Sequence, residues 1–245
     1  NDQIGIPHHN RHNSDNALKR NKVNSMELDA SQTVGKIATS LPGAAALFRR
    51  HGISFCCGGS DSIEAAAEAA GLSTETLVGE LQGLVDAAST EAPDGTVDLI
   101  NHIRTRYHDT HRAELISLIP LAAKVERVHG DHPDAPIGLA NLLERIQSDL
   151  HSHMHREELM LFPLMERGDH QALTRPIEQM RHEHEVEADH LTELEHVTGG
   201  FHLPDGACNS WRALYTGVKK FADDLVQHMH LENEVLCPRF TRGTL

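Results

Sequence analysis

The sequence predicts an all-α protein: an antiparallel four-helix bundle preceded by a small helical domain. Three observations predict it. After residue 97, four long stretches carry apolar residues at helical spacing. The segments between them (130–138, 168–174 and 198–209) are short and rich in Gly, Pro, Asp and Asn. Nowhere does the chain alternate apolar and polar residues at period two for long enough to suggest a sheet. Long helices with short connections pack as antiparallel neighbours.

Residues 1–25 are polar, with His8, His9 and His12 among Asn, Arg and Ser. They lack apolar periodicity and read as a disordered extension or an expression remnant, without a core to preorganise metal ligands. Residues 26–90 read as the small helical domain. Val34, Ile37 and Ala38, then Ala44 to Phe48, make short helical patches around Leu41-Pro42-Gly43. Phe55-Cys56-Cys57-Gly58-Gly59 is a turn. Ser62 precedes an alanine-rich helix, Ile63 to Ala70, and Ser73-Thr74-Glu75-Thr76 opens another with Leu77, Leu81, Leu84 and Val85 on one face. Glu91 to Thr96 is a linker by composition. The bundle, 97–242, then runs from about Val97 to Val128 with Pro120 as a kink or break, from Leu139 to Arg167, from Arg175 to Val197, and from Ser210 to Phe240.

Composition narrows the function. No stretch approaches the roughly 20 uninterrupted apolar residues of a membrane span, and no signal-peptide pattern opens the chain. Four cysteines, two of them adjacent, do not make a disulfide framework in 245 residues, so a reducing cytoplasm is expected. A net charge of −14 argues against nucleic acid, which needs a basic surface. Histidine is over-represented: 20, against 22 Lys and Arg together.

The histidines matter where they enter the apolar stripes. Residues 153–163 read His-Met-His-Arg-Glu-Glu-Leu-Met-Leu-Phe-Pro, and residues 228–238 read His-Met-His-Leu-Glu-Asn-Glu-Val-Leu-Cys-Pro. Both fit H-M-H-x-E, 75 positions apart. In each, the first His and the Glu stand at i and i+4 and share a helix face. On the second helix, Leu142, Leu143, Ile146, Leu150, Met160, Leu161 and Leu164 form a stripe around His153 and Glu157, leaving His151, His155 and Glu158 outside. On the fourth, Trp211, Leu214, Val218, Phe221, Leu225 and Leu236 accompany His228 and Glu232, while His230 and Glu234 point elsewhere. On the third, His184 is enclosed and His182 is not. The first helix offers His108 and His111. Its stripe centres His111 better, but the repeat favours His108, which precedes His153 by 45 residues as His184 precedes His228 by 44.

A buried unpaired carboxylate costs several kcal/mol or shifts its pKa. Metal binding explains two such glutamates, each one turn from a core histidine, better than isolated His–Glu hydrogen bonds do. Four histidines and two glutamates are too many for one ion. They suit two ions, each with two histidines and sharing bridging carboxylates, and the donors suit iron or manganese rather than structural zinc. His111 and Glu187 are candidates for supporting roles. His129 lies 21 residues after His108, about 30 Å along a helix, and is left out. His170, His190, His196 and His202 read as surface residues.

The pattern resembles the hemerythrin-like bundle and, with the small domain, the Repair of Iron Centres family. The likeness rests on Leu47-Phe48-Arg49-Arg50-His51-Gly52, Phe55 to Gly59, Arg106-Tyr107-His108-Asp109, Lys124 to His129, Ser152-His153-Met154, Glu157-Glu158, Leu161-Phe162-Pro163, His184, and His228 to Pro238. It covers roughly residues 27–240. The resemblance implies a centre of two iron ions held by His108, His153, Glu157, His184, His228 and Glu232. It also raises the position of His129 as a ligand, against the distance argument.

The resemblance further implies a role in nitrosative and oxidative stress. The leading expectation is a protein that binds and reduces nitric oxide to nitrous oxide. The alternative is an iron donor for repair of damaged iron–sulfur clusters. A hemerythrin-type oxygen carrier or sensor is disfavoured by the balanced ligand count and by the cysteine domain. Cys56 and Cys57 are candidates for a redox or iron relay, and Cys208 and Cys237 for structural roles. Expected partners are nitric oxide or another small diatomic ligand, iron–sulfur proteins and an electron donor, with no nucleic acid and no membrane. A homodimer is left open.

Overall fold

The computed structural model describes residues 28–55, 59–88 and 92–241. Cys56, Cys57 and the amino-terminal extension lie outside the described residues. Among the described residues the protein is all-α: beyond helices there is one isolated bridge, between Thr33 and Ser62.

The small domain packs four helices: α1 (Val34–Ser40), α2 (Ala44–Arg50), α3 (Ile63–Ala69) and α4 (Thr74–Ala88). Hydroxyls start three of them, Ser73 capping α4 by accepting from Thr76 N at 3.2 Å. The Thr33 side chain accepts from Lys36 N at 3.4 Å, and the Ser62 side chain accepts from Ala65 N at 3.1 Å, each satisfying an otherwise unpaired first-turn donor. Val34, Ile37, Leu41, Phe48, Ile63, Leu77 and Leu81 fill its core. The start of α1 sits against Gly59 so closely that a Cβ on Gly35 would lie 2.9 Å from the Gly59 carbonyl oxygen. Glycine is required there for backbone contact.

The larger part is four long rods. The first joins α5 (Thr96–His102), a π-helical segment π1 (Ile103–His108) and α6 (Asp109–His129). The second joins α7 (Leu139–Arg156), π2 (Glu157–Leu161) and α8 (Phe162–Glu166). The third is α9 (His170–Val197), uninterrupted. The fourth joins α10 (Asn209–His230), π3 (Leu231–Leu236) and, after Cys237, α11 (Pro238–Thr241). Two boundaries differ from expectation. Pro120 does not break α6, whose Leu118, Ala122 and Val125 stay in the core on either side of it. The third rod begins at His170 rather than Arg175 because Asp169 caps it, accepting from Ala172 N at 3.4 Å.

Cross-rod contacts establish the antiparallel arrangement. Rods one and four meet through Arg106–Asp224 (2.8 Å) and Lys124–Ser210 (3.2 Å). Rods two and three meet through Arg145–Glu193 (2.5 Å) and His153–Glu183 (2.9 Å). In both pairs, residue numbers rise on one rod as they fall on the other. The bundle has two apolar clusters. One is built on Leu142, Leu143, Trp211, Leu214 and Phe221; the other on Leu99, Ile103, Phe162, Ile177 and Leu236. Along every rod, the inward-facing candidates (His108, His153, Glu157, His184, His228 and Glu232) fall where one cluster gives way to the other. No helix among the described residues is long and apolar enough to cross a membrane.

The small domain lies on the bundle through α1, which packs against α9 and α10. Arg49 anchors it. Its guanidinium is 2.7 Å from Glu195 and lies over the Phe201 ring at 5.5 Å.

Candidate metal centre

Both copies of the H-M-H-x-E repeat run into a π-helical segment, and the first rod reaches His108 through a third. A π turn takes in an extra residue, costs helix stability, and recurs at functional sites. Here it changes which side chains face inward. His108 and His111 are both fully buried, so the first rod does not have to choose between them. Past Glu157 the phase is shifted: Met160, expected in the stripe, is 57% exposed, whereas Phe162 is buried.

The six predicted ligand residues converge. His108, Glu157, His228 and Glu232 offer ligand atoms all within 4.8 Å of one another, and so do His153, Glu157, His184 and Glu232. The two quartets share both glutamates. Nε2 of His108 faces Nε2 of His228 at 3.0 Å, and Nε2 of His153 faces Nε2 of His184 at 3.2 Å. Oε2 of Glu157 lies between the pairs, 3.4 Å from His108 Nε2 and 3.3 Å from His153 Nε2. Glu232 spans them with two oxygens: Oε1 is 3.2 Å from His228 Nε2, and Oε2 is 3.1 Å from His184 Nε2.

The outward nitrogens fix the tautomers. His108 Nδ1 donates to Glu158 at 2.8 Å, and that carboxylate also accepts from Arg112 at 2.9 Å. His153 Nδ1 donates to Glu183 at 2.9 Å, whose other oxygen accepts from Gln179 at 2.7 Å and pairs with Arg156 at 2.8 Å. His184 Nδ1 donates to Asn233 Oδ1 at 3.2 Å. Neutral imidazoles held this way turn Nε2 lone pairs inward. If both rings are neutral, the His153 and His184 lone pairs face each other at 3.2 Å; burial acts to lower His184, but the Glu232 carboxylate outweighs it and raises it, drawing positive charge to this point. A cation between the two rings answers both.

The carboxylates carry the same signature. Both Glu157 oxygens are buried without a hydrogen-bond donor. Burial and the Glu232 charge push the Glu157 carboxyl up. Burial also acts to raise Glu232, but His228 and His184 outweigh it and hold that carboxyl well below its usual range. The outer acids are firmly ionised. The hydrogen bond from His108 brings Glu158 down to about 2. Burial opposes the same shift in Glu183, but hydrogen bonds from His153, Gln179 and Arg156 bring it to about 2. Two buried glutamates among lone pairs, braced by ionised acids outside, form a donor set that fits a cationic group. Rings close the layer: Tyr107 stacks on His228 at 5.8 Å, and Phe162 stacks on His108 at 5.7 Å.

Glu158, Glu183 and Asn233 were missed in the sequence because helical phase places them off the stripes. The only trace is that each adjoins a repeat or stripe residue: Glu157, His184 and Glu232. His111 is fully buried with neither ring nitrogen bonded. Burial and the positive groups around it hold it neutral. It packs against His228 at 5.4 Å and Phe221 at 5.3 Å. Glu187 is buried one turn past His184, and burial followed by the Asp149 charge raises it to about 8. His129 is elsewhere: its Nε2 lies 3.1 Å from Cys208 Sγ and its ring packs on Trp211. Two expectations need correction. His190 is not a surface residue; it is 8% exposed and bonded to Asp149 at 3.0 Å. His230 does leave the bundle interior, yet it is 5% exposed because α1 covers it, with Nδ1 donating to the Ser40 carbonyl at 3.3 Å.

Two cavities reach the centre. One, of about 390 Å³, lies between α1 and the third and fourth rods, with His184, Asn233, Lys36, Arg181 and Glu234 among its walls. The other, of about 290 Å³, meets Glu157 and Glu183 between Met160 and Met180.

Residues 99–240 match the model of the hemerythrin HHE cation binding domain, and residues 30–85 match a domain of unknown function (DUF542). The chain is 43% identical over 215 residues to the iron-sulfur cluster repair protein YtfE of Dickeya chrysanthemi, covering 86% of this chain and 97% of that protein. It is 42% identical over 216 residues to the protein of the same name in Yersinia pseudotuberculosis, covering 87% and 98%. With a cation-binding bundle of the hemerythrin type, the small domain before it, and likeness along nearly the whole length of these relatives, the chain belongs to the Repair of Iron Centres family, that of the YtfE proteins.

Proposed function

We propose that this chain is an iron-handling protein acting in the repair of iron–sulfur clusters, with two irons held in the buried layer. His108 and His228 would hold one, His153 and His184 the other, and Glu157 and Glu232 would serve both. The observation that carries the reading is the pair of quartets sharing both carboxylates. The relatives' name supports repair, and so puts iron donation ahead of the nitric oxide reduction that the sequence alone favours. Imidazole and carboxylate donors without thiolate suit iron. Bound there, an iron pair supplies exchangeable metal and two adjacent one-electron centres.

The chain's own residues do the rest. Glu157 and Glu232 balance the charge of the ions. Glu158, Glu183 and Asn233 hold three imidazoles in the ligating tautomer. The donors are divided evenly between the two quartets, and the cavity beside His184 offers a way out between the domains. Cys56 and Cys57, which lie outside the described residues, are candidates to relay electrons or iron. The partners are damaged iron–sulfur proteins and an electron donor.

The test is anaerobic incubation of the iron-loaded chain with a hydratase whose four-iron cluster has lost one iron. Hydratase activity should return, and Glu232→Ala, stripped of iron, should not restore it. Failure of the fully loaded wild-type chain would reject iron donation. One observation favours a second reading: the quartets adjoin, so two nitric oxide molecules can be held side by side. Nitrous oxide measured by gas chromatography after mixing the reduced protein with nitric oxide decides that reading, and its absence rejects it.

A further inference from the structure

At the loop end of the bundle, away from the histidine–glutamate layer, the fold assembles a second reactive pair. His129 is the last residue of α6, and Cys208 caps the start of α10. Nε2 of His129 is 3.1 Å from Cys208 Sγ. The imidazole is held in place by Trp211, ring to ring at 5.1 Å, and Trp211 meets His132 edge-on at 5.6 Å. Cys208 makes no side-chain capping bond to its helix, so its sulfur is committed to the imidazole.

The thiol is half-buried rather than sealed. It stands at the positive end of a 22-residue helix, where partial charge on the free N–H groups stabilises an anion. Two cations flank that turn: Lys124 donates to Ser210 at 3.2 Å, and Arg212 donates to the Ala207 carbonyl at 3.1 Å. From the 130–138 connection come His132 and Asp134, which pair at 3.8 Å. The Trp211 indole N–H, buried in the same cluster, has no acceptor among the described residues. Cys237 is the contrast. It is fully buried, and burial followed by the Glu232 charge pushes its thiol far up.

We propose that Cys208 is a reactive thiol, with His129 as its proton acceptor, that exchanges with low-molecular-weight disulfides of the glutathione class. The thiol proton passes from Sγ to His129 Nε2. The sulfur then attacks one sulfur of the disulfide. The protein–glutathione bond forms as the original S–S bond breaks, and the departing thiolate takes the proton from His129. One protein thiol is consumed and one small thiol is released.

The experiment treats the full chain with glutathione disulfide near neutral pH and maps adducts by peptide mass spectrometry, which separates Cys208 from Cys56 and Cys57. Cys208 should carry glutathione and Cys237 should not. His129→Ala should slow the Cys208 reaction about tenfold, the order expected when a thiolate-stabilising partner is lost, and imidazole in the buffer should restore part of the rate. His129→Gln, which keeps a side chain against Trp211, reads the same loss if the alanine variant folds poorly. A Cys208 left unmodified while Cys56 or Cys57 reacts would overturn the proposal. So would a wild-type rate in both His129 variants, or a slow His129→Ala that imidazole does not revive.

Discussion

Glu157 and Glu232 are the residues on which the charge of the buried layer turns. Each faces two imidazole nitrogens at 3.1 to 3.4 Å, so losing either removes a donor from both quartets at once. Glu157→Ala and Glu232→Ala should each abolish iron uptake, read by elemental analysis and by loss of magnetic coupling. His155→Ala, fully on the outside, should change neither; an equal loss there would mean that the inward register is wrong. The outer acids should act more gently. Glu158→Gln and Glu183→Gln keep the shape but remove the charge that fixes the Nδ1 proton, and iron affinity should fall about 10- to 100-fold in competition with a chelator. His230→Ala should spare the iron but loosen α1, because His230 meets Ser40 rather than the centre.

At the level of the elements, the π segments set the aim of the ligands. Inserting an alanine after Leu159, an exposed residue of π2, would add a second extra residue that the π turn has no room to take in, and so would rotate everything after it by roughly 100°. Phe162 would swing off His108. The bundle should lose iron and about 3 kcal/mol of stability in urea titration, as for emptying a large core position. A one-residue insertion in the 130–138 connection should cost far less. The clamp between rods one and four gives a pH test. Burial favours the protonated Asp224, but hydrogen bonds from Arg106 and Lys220 outweigh it and hold the carboxyl below its ordinary 3.8. Its stabilisation, about 1 kcal/mol for a partly exposed pair, is therefore present above pH 3.8 and lost as pH falls through the lower folded value. Asp224→Asn should melt earlier than wild type at pH 6 and equally in strong acid. The rods were legible in the sequence because apolar spacing of 3.6 is local information. So was the convergence of the six candidate ligands, because a repeated His–Glu pair in an apolar stripe has few other uses. The phase beyond Glu157 was not legible: a uniform 100° projection cannot see a π turn, and so it placed Met160 inside. The burial of His230 depends on a domain docking that no local pattern announces.

For the whole molecule, the question is what the small domain contributes. All six candidate ligands lie after residue 97, so a fragment comprising 97–241 should fold and still take up iron. It would lack the α1 wall of the cavity beside His184 and the Arg49 partner of Glu195. Iron release to a ferrous chelator, followed by stopped-flow absorbance, should be several-fold faster from the fragment than from the full chain. Equal rates would mean that α1 does not govern access. With Arg49 gone, Glu195 would face water, which relieves the burial that now raises its carboxyl, so little stability need be lost there.

The buried layer divides the bundle's apolar interior in two, and this reaches beyond chemistry. Two cores joined through facing imidazole nitrogens and two buried carboxylates hold together best when something positive lies between them. Binding to the folded form alone adds about 2.7 kcal/mol once free ligand exceeds its dissociation constant a hundredfold. A chain without its metal should therefore be a looser chain, opening more often at mid-bundle and presenting that stretch to proteases. Turnover would then select against spent molecules, and the steady-state abundance of the protein would track the cell's supply of iron without a dedicated sensor. Pulse-chase decay should be faster under iron starvation than in replete cells, and Glu157→Ala should decay at the fast rate in both.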